Sequence, residues 1–411
     1  MAEGGEPGLI MNLTIRKDEL KLWVFTALIL VGPALSIGLL KAHLVAVFFV
    51  ILILIATSLK YMKADKGMLT SCALLLSCCF IWFAVHALNG AINARYFMYL
   101  FYTVFCFMVF IASYHALSKL NNHTLTNFLF VFCSLNLLIG FVEMIVGLSF
   151  FGLNPVGDRF QIGSSFWANV NTNAYAVLIF SCAIYVLGGF KKYLFITLLL
   201  IVYCLFIHAK LVLALTAMQF VFFAMYSNPR YRIYGLLFLA IVSPVFVYLF
   251  YNNFLAIFLA AEYAVELISN DNSLKELVES GRLSSIAIRA YTLSEMTTIL
   301  QNFDVWKFLF GAGFGSINIS FMNNTLGVYE TYYSPHFFYL EIFIFSGLLF
   351  YVMYLAAIKA LSGHFGIKYF VLFSPAFAAV IAVSSAVYFP PFYFLLALVA
   401  FMAKPKSLSK R

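Results

Sequence analysis

Two arginines seven residues apart, Arg282 and Arg289, and a histidine that follows a Ser-Pro step, His336, stand in a polar stretch running from Ala261 to Phe337. Their spacing puts both guanidinium groups on one face of a helix, two turns apart. A guanidinium is a planar fork of donors that keeps its charge near neutrality, so it suits phosphate oxygens. The competing assignment pairs these arginines with Glu276, Glu279, Glu295 or lipid headgroups. An unperturbed imidazole titrates near pH 6.5 and takes a proton from a hydroxyl without carrying a permanent charge, which qualifies His336 as a general base. A single histidine beside an apolar run also serves structure alone.

Two further cations extend the set. Lys210 lies in Ile207-His-Ala-Lys-Leu211, where two short apolar runs meet. A cation there needs water, an anion or a partner, or else it snorkels to the interface. Arg159, in Gly157-Asp-Arg-Phe160, either joins an anion site or pairs with Asp158. Together Arg159, Lys210, Arg282 and Arg289 could line a pocket for an anionic ligand. Glu341 and Glu143 fall just inside apolar runs and are candidate orienters or second bases. Glu262 and Glu266 share a helix face without the remaining ligands of a metal site. No metal centre, cofactor fingerprint or convincing nucleophile is evident. The segment Phe310-Gly-Ala-Gly-Phe-Gly315 reads as a turn, with a phosphate-cradling nest as the less favoured option because no strand precedes it.

The elements that must position these residues follow from composition. The chain has 411 residues, 64% apolar and 10% charged, with mean hydropathy +0.98. Such a composition predicts an all-α, polytopic integral membrane protein. About twelve runs approach the roughly 20 residues that a bilayer core requires. They are Leu22 to Leu40, His43 to Leu59, Met68 to Leu88, Tyr96 to Leu117, Leu125 to Gly147, Val170 to Gly189, Tyr193 to Ile207, Leu211 to Ser227, Tyr234 to Ala260, Phe338 to Ile358, Tyr369 to Tyr388 and Phe392 to Ala403. The expected organisation is a cytoplasmic N-terminus over 1–21, nine spans over 22–260, a large outer loop over 261–337, three spans over 338–403 and a cytoplasmic C-terminus over 404–411. Alternate connections hold two thirds of the 25 lysines and arginines, which sets both termini inside and the large loop outside. Within that loop, Leu274, Leu277 and Val278, and then Ile286, Ala290, Leu293, Thr297 and Leu300, predict two helices lying on the membrane surface.

The net charge of +9 gathers in short inner loops, where topology explains it, so nucleic-acid binding is not expected. All seven cysteines fall in predicted spans, which leaves no outer disulfide framework. The first apolar run is long for a signal sequence and another follows at once, so no cleaved signal is expected. Met1 to Ile10, acidic and glycine-rich, contribute nothing to the candidate site. No internal repeat is visible, which disfavours a transporter built from matching halves.

In this order and placement the features resemble the O-antigen polymerase and O-antigen ligase superfamily of membrane glycosyltransferases. The resemblance rests on Asp158-Arg159-Phe160 before Asn169-Val-Asn171-Thr-Asn173, Ala209-Lys210 where spans meet, and Gly281-Arg282 in the large loop. It continues through Gly311, Gly313 and Gly315 to His336-Phe-Phe-Tyr-Leu-Glu341, with Gly347 following. Lys210 replaces the family's usual Arg. Phe337 replaces the Asn that ligases keep after the histidine, which favours the polymerase. The resemblance implies a GT-C-like, metal-independent and cofactor-free inverting glycosyltransferase of the bacterial inner membrane, with its active site facing the periplasm. Undecaprenyl-diphosphate-linked oligosaccharide would be both donor and acceptor, and a chain-length regulator is a further candidate partner. Arg282, Arg289 and Lys210 would stabilise the leaving diphosphate, Arg159 and Glu341 would contact substrate, and His336 would take the acceptor proton. The alternatives are an O-antigen ligase and a polysaccharide flippase or other transporter.

Overall fold

In the computed structural model the described residues are 66–92, 121–150, 162–165, 170–207, 209–226, 285–323, 328–332, 338–362, 367–382 and 389–403, with isolated positions between 96 and 118 and between 232 and 244. They are mostly helical. Ten helices have described bounds: α1 Lys66–Leu88, α2 Asn122–Val146, α3 Val170–Val186, α4 Phe190–Phe206, α5 Lys210–Tyr226, α6 Ser285–Gln301, α7 Val305–Phe310, α8 Phe338–Ser362, α9 Ile367–Ala382 and α10 Pro390–Ala403. Eight of these, all but α6 and α7, coincide with predicted apolar runs. The runs Leu22 to Leu40 and His43 to Leu59 lie outside the described residues. Tyr96 to Leu117 and Tyr234 to Ala260 are described at isolated positions, all helical.

Local chemistry sets the helix ends. The Asn121 side chain accepts from the His123 amide at 3.0 Å and caps the N-terminus of α2. At the other end Gly147 turns left-handed at φ 74° and returns its amide to the Glu143 carbonyl at 2.8 Å. Asp304 caps α7 in the same way, accepting from the Lys307 amide at 2.7 Å.

Among the described residues one helix, the 25-residue α2, is long and apolar enough to cross a membrane. Helices α3, α4 and α5 have 17 residues each and α10 has 14. Helices α3 and α10 are buried on nearly every side, and Phe180 meets Phe394 edge to face at 5.1 Å between them. Apolar side chains also cover outward faces. Val131, Leu135, Leu138, Val142 and Ile145 recur at helical spacing along the exposed face of α2, and Phe195, Leu198, Val202 and Phe206 do so on α4. The buried side chains include Asn136, Glu143, Asn173, Thr197, Thr216 and Gln219.

Helices joined by short connections alternate in direction. Trp82 reaches Ser346 and Cys78 reaches Met353, which sets α1 antiparallel to α8. Phe132 packs on Phe180 across α2 and α3, while short connections fold α3 onto α4 and α4 onto α5. Phe223, late in α5, packs on Phe373 in the first half of α9 at 5.9 Å. The ends of α1 and α2 and the starts of α3, α5 and α8 therefore share one end of the bundle.

Two features of the large loop differ from expectation. Ile319–Asn323 (β1) and Val328–Tyr332 (β2) form an antiparallel pair in register Ile319 to Tyr332, a β-element inside what was expected to be an all-α chain. Their β-branched and aromatic content, separated by Asn324-Thr-Leu-Gly327, is a hairpin signal that the helical reading of the loop passed over. Helix α6 forms as predicted, and its burial extends beyond the expected face, on which Leu300 packs against the core. Tyr291, Thr292 and Met296 are buried, whereas Leu293 and Thr297 are exposed. The helix carries apolar groups on more than one side, so tertiary packing selects the face that spacing alone left open. The expected first helix of the loop, around Leu274 to Val278, lies outside the described residues.

Candidate functional site

The glycine-rich segment after α7 is a clasp that fills a break in α8. Gly347 interrupts that helix at φ 70°, ψ 179°, a conformation open to glycine and hardly to any other residue. Breaking the helix diverts the carbonyls just before it from their helical donors, and each must find another. Ala312 N–H donates to the Ile344 carbonyl at 2.8 Å and Gly313 N–H to that of Phe345 at 3.1 Å. The Trp82 indole N–H donates to the Ser346 carbonyl at 3.0 Å. Gly311, at φ 82°, lies so close that a Cβ there would overlap the Phe345 carbonyl, and a Cβ on Gly347 would overlap the Leu309 carbonyl. The amides of Gly311, Ala312 and Gly313 are thus engaged with protein carbonyls, which weighs against the phosphate-nest reading. The expected turn survives at Gly313 to Ser316, where Ser316 N–H bonds the Gly313 carbonyl at 3.3 Å.

Replacing Gly347 by alanine is expected to cost about 3 kcal/mol or more, since the strained φ adds to the overlap with Leu309. Gly90 is the control. Its φ is similar at 66°, but nothing lies within 4 Å of a Cβ there, so Gly90→Ala should cost about 1 kcal/mol. Thermal unfolding in detergent compares them. Equal shifts in Tm would mean that the close packing at Gly347 contributes nothing.

A second polar cluster lies at the same end of the bundle. The chain leaves α2 and returns to α3 through a turn at Ile162–Ser165, which is seated against Glu143. One Glu143 oxygen accepts from the Phe150 amide and the other from the Ser165 amide, each at 2.8 Å. Tyr203 donates to the Gly163 carbonyl, and the Asn173 amide donates to the Tyr203 hydroxyl at 3.1 Å. Close fit is enforced by Gly140, where a Cβ would stand 2.8 Å from the Gly163 carbonyl. Glu143 is fully buried with both oxygens committed to backbone amides, an anchor for the turn rather than an acceptor waiting for a substrate proton.

The expected site residues distribute around these two clusters. Lys210 is the first residue of α5 and Arg289 belongs to α6; the backbone of each is described and its side chain is not. Glu341 lies in the first turn of α8, fully buried, one turn before the carbonyls that hold the clasp. Arg159, Arg282 and His336 lie outside the described residues. Of the set, only Lys210 and Glu341 stand on elements placed together: the starts of α5 and α8 occupy the end of the bundle that holds Glu143 and the clasp. Among the described residues no group of three His, Cys, Asp or Glu side chains converges on a metal position.

Sequence reasoning missed His86, Trp82 and Tyr96. His86 is buried near the end of α1, with Nε2 3.0 Å from the Phe310 carbonyl and Nδ1 3.0 Å from the Tyr96 hydroxyl. A carbonyl only accepts, so Nε2 carries the proton and Nδ1 accepts from Tyr96. An ionisable residue inside an apolar run was signal enough to single it out.

Compared with family models, with curated proteins and with solved structures, the chain matches none.

Proposed function

We propose that the chain is a polytopic inner-membrane glycan polymerase that transfers the oligosaccharide of one undecaprenyl-diphosphate carrier onto a hydroxyl of another at the periplasmic face. The observation that carries this reading is the convergence of separated landmarks. Asn173, Lys210, the clasp at Gly311 to Gly315 and Glu341 are distant in sequence, yet they belong to one end of the bundle. The exposed apolar stripes of α2 and α4 support a lipid surround, because contiguous apolar faces on the outside of the bundle suit hydrocarbon and not water. Helices of 17 residues reach about 26 Å, within the range that spans a bilayer core.

The chemistry needs no metal. As the glycosidic bond to the diphosphate breaks, negative charge grows on the leaving oxygens. Arg282, Arg289 and Lys210 stabilise it, with Arg159 holding the carrier and Glu341 the glycan. His336 accepts the proton of the attacking hydroxyl, and attack from the face opposite the leaving group inverts the anomeric carbon.

A deletion strain tests the assignment, since three candidate functions fail at different stages of one pathway. Loss of a polymerase leaves lipid A core capped by a single repeat, because flipping and ligation still operate. Loss of an O-antigen ligase leaves bare core with polymer stranded on its carrier, and loss of a flippase leaves bare core with single repeats on the inner leaflet. Gel separation of the lipopolysaccharide should show the capped core. Bare core would reject the polymerase.

A further inference from the structure

Two side chains one turn apart on α1 hold both halves of the clasp. Trp82 donates to the Ser346 carbonyl at the helix break, and His86 donates to the Phe310 carbonyl where the chain enters the clasp. Trp82 is fixed by stacking on Phe350 at 3.7 Å and by an edge contact to Phe314 at 4.9 Å. His86 is fixed by Tyr96, whose ring also packs edge to face on Phe314 at 5.4 Å. The clasp is where the large loop meets the start of α8. Through α7 it continues back to α6, which carries Arg289, and through the paired carbonyls of Ile344 and Phe345 it holds the segment of α8 that carries Glu341. Whatever fixes the clasp fixes those two arms relative to each other.

We propose that His86 is a positioning residue, which together with Trp82 locks the Gly311 to Gly315 clasp to the broken helix and so sets the separation between the cation-bearing and carboxylate-bearing arms of the site. Its effect on turnover rests on the polymerase reading; its effect on the clasp does not. Removing the imidazole leaves the half-buried Phe310 carbonyl without that donor and loosens the hold of α1 on the chain entering the clasp, with the Trp82 contact to Phe314 remaining. Glutamine restores a donor at similar reach. Phenylalanine at position 82 keeps a ring against Phe350 and deletes the N–H alone.

Hydrogen exchange on the purified full chain in detergent reads the clasp directly. In His86→Ala, peptides covering Phe310 to Ser316 should exchange about tenfold faster, with α3 and α4 unchanged. His86→Gln should recover most of the protection, and Trp82→Phe should loosen the same peptides to a smaller extent. In a polymerisation assay with lipid-linked donor, His86→Ala should lower turnover about tenfold at unchanged half-saturation, and Gln should restore it. Unchanged exchange at the clasp in His86→Ala overturns the proposal. So does equal exchange in the Ala and Gln variants, loss of protection throughout all helices in both Ala and Trp82→Phe, or an opened clasp with normal turnover. If the wild-type chain makes no polymer, the polymerase reading fails by itself and the exchange result still decides the clasp.

Discussion

Replacing Arg282 or Arg289 by alanine is expected to cut polymer formation by about a hundredfold to a thousandfold, the loss that follows removal of one preorganised donor from a developing anion. The reasoning turns on where the charge appears. In the ground state the diphosphate is bound to sugar and lipid and its charge is partly spent in hydration; in the transition state a further negative charge grows on the leaving oxygen. A guanidinium placed there gains most as the bond breaks, so the variant should lose turnover more than binding. Lysine should retain part of the activity, because the charge survives while the planar fork is lost. Protein level should hold, since an exposed ion pair contributes at most about 1 kcal/mol to stability. Polymer length on a gel and the amount of chain in the membrane measure both halves. Wild-type length in both alanine variants would return these arginines to pairing with Glu276, Glu279 or Glu295.

What the sequence discloses and what it withholds divide along a physical line. Helices α1 to α5 and α8 to α10 were legible because their apolar runs are long and bounded by turn residues, as at Gly147, where a left-handed cap ends α2. The break at Gly347 was not. A glycine in an apolar run is equally compatible with an unbroken helix, and its role appears only when Leu309 arrives from nearly forty positions upstream to occupy the space a Cβ would need. The same limit applies to Glu143, whose type and depth suggested a base. Its partners, the Phe150 and Ser165 amides, are fixed by a turn that no spacing rule encodes. For α6, the helical period was right and the face incomplete, because Tyr291 and Met296 take core positions while Leu293 is exposed and Leu300 packs inward. The candidate site was legible as residue types in order.

Replacement of His336 is the sharpest test of the chemical step. His336→Ala should lower transfer by about a hundredfold to ten-thousandfold while lipid-linked substrate still binds, since a general base acts on the proton that moves as the new bond forms. His336→Gln separates shape from basicity: the amide keeps polar contacts and size but cannot take the proton, so it should be nearly as inactive as alanine. The wild-type rate should rise with pH as the imidazole loses its proton, and that dependence should vanish from the residual rate of the Gln variant. Single-turnover transfer between labelled lipid-linked repeats, set beside a binding measurement, reads both quantities. Normal polymerisation by His336→Gln would remove the histidine from the proton path and shift attention to Glu341, buried in the first turn of α8 and one turn from the clasp. Glu143 would come after it, because each oxygen of that carboxyl already accepts a backbone amide and only its remaining lone pairs could take a proton.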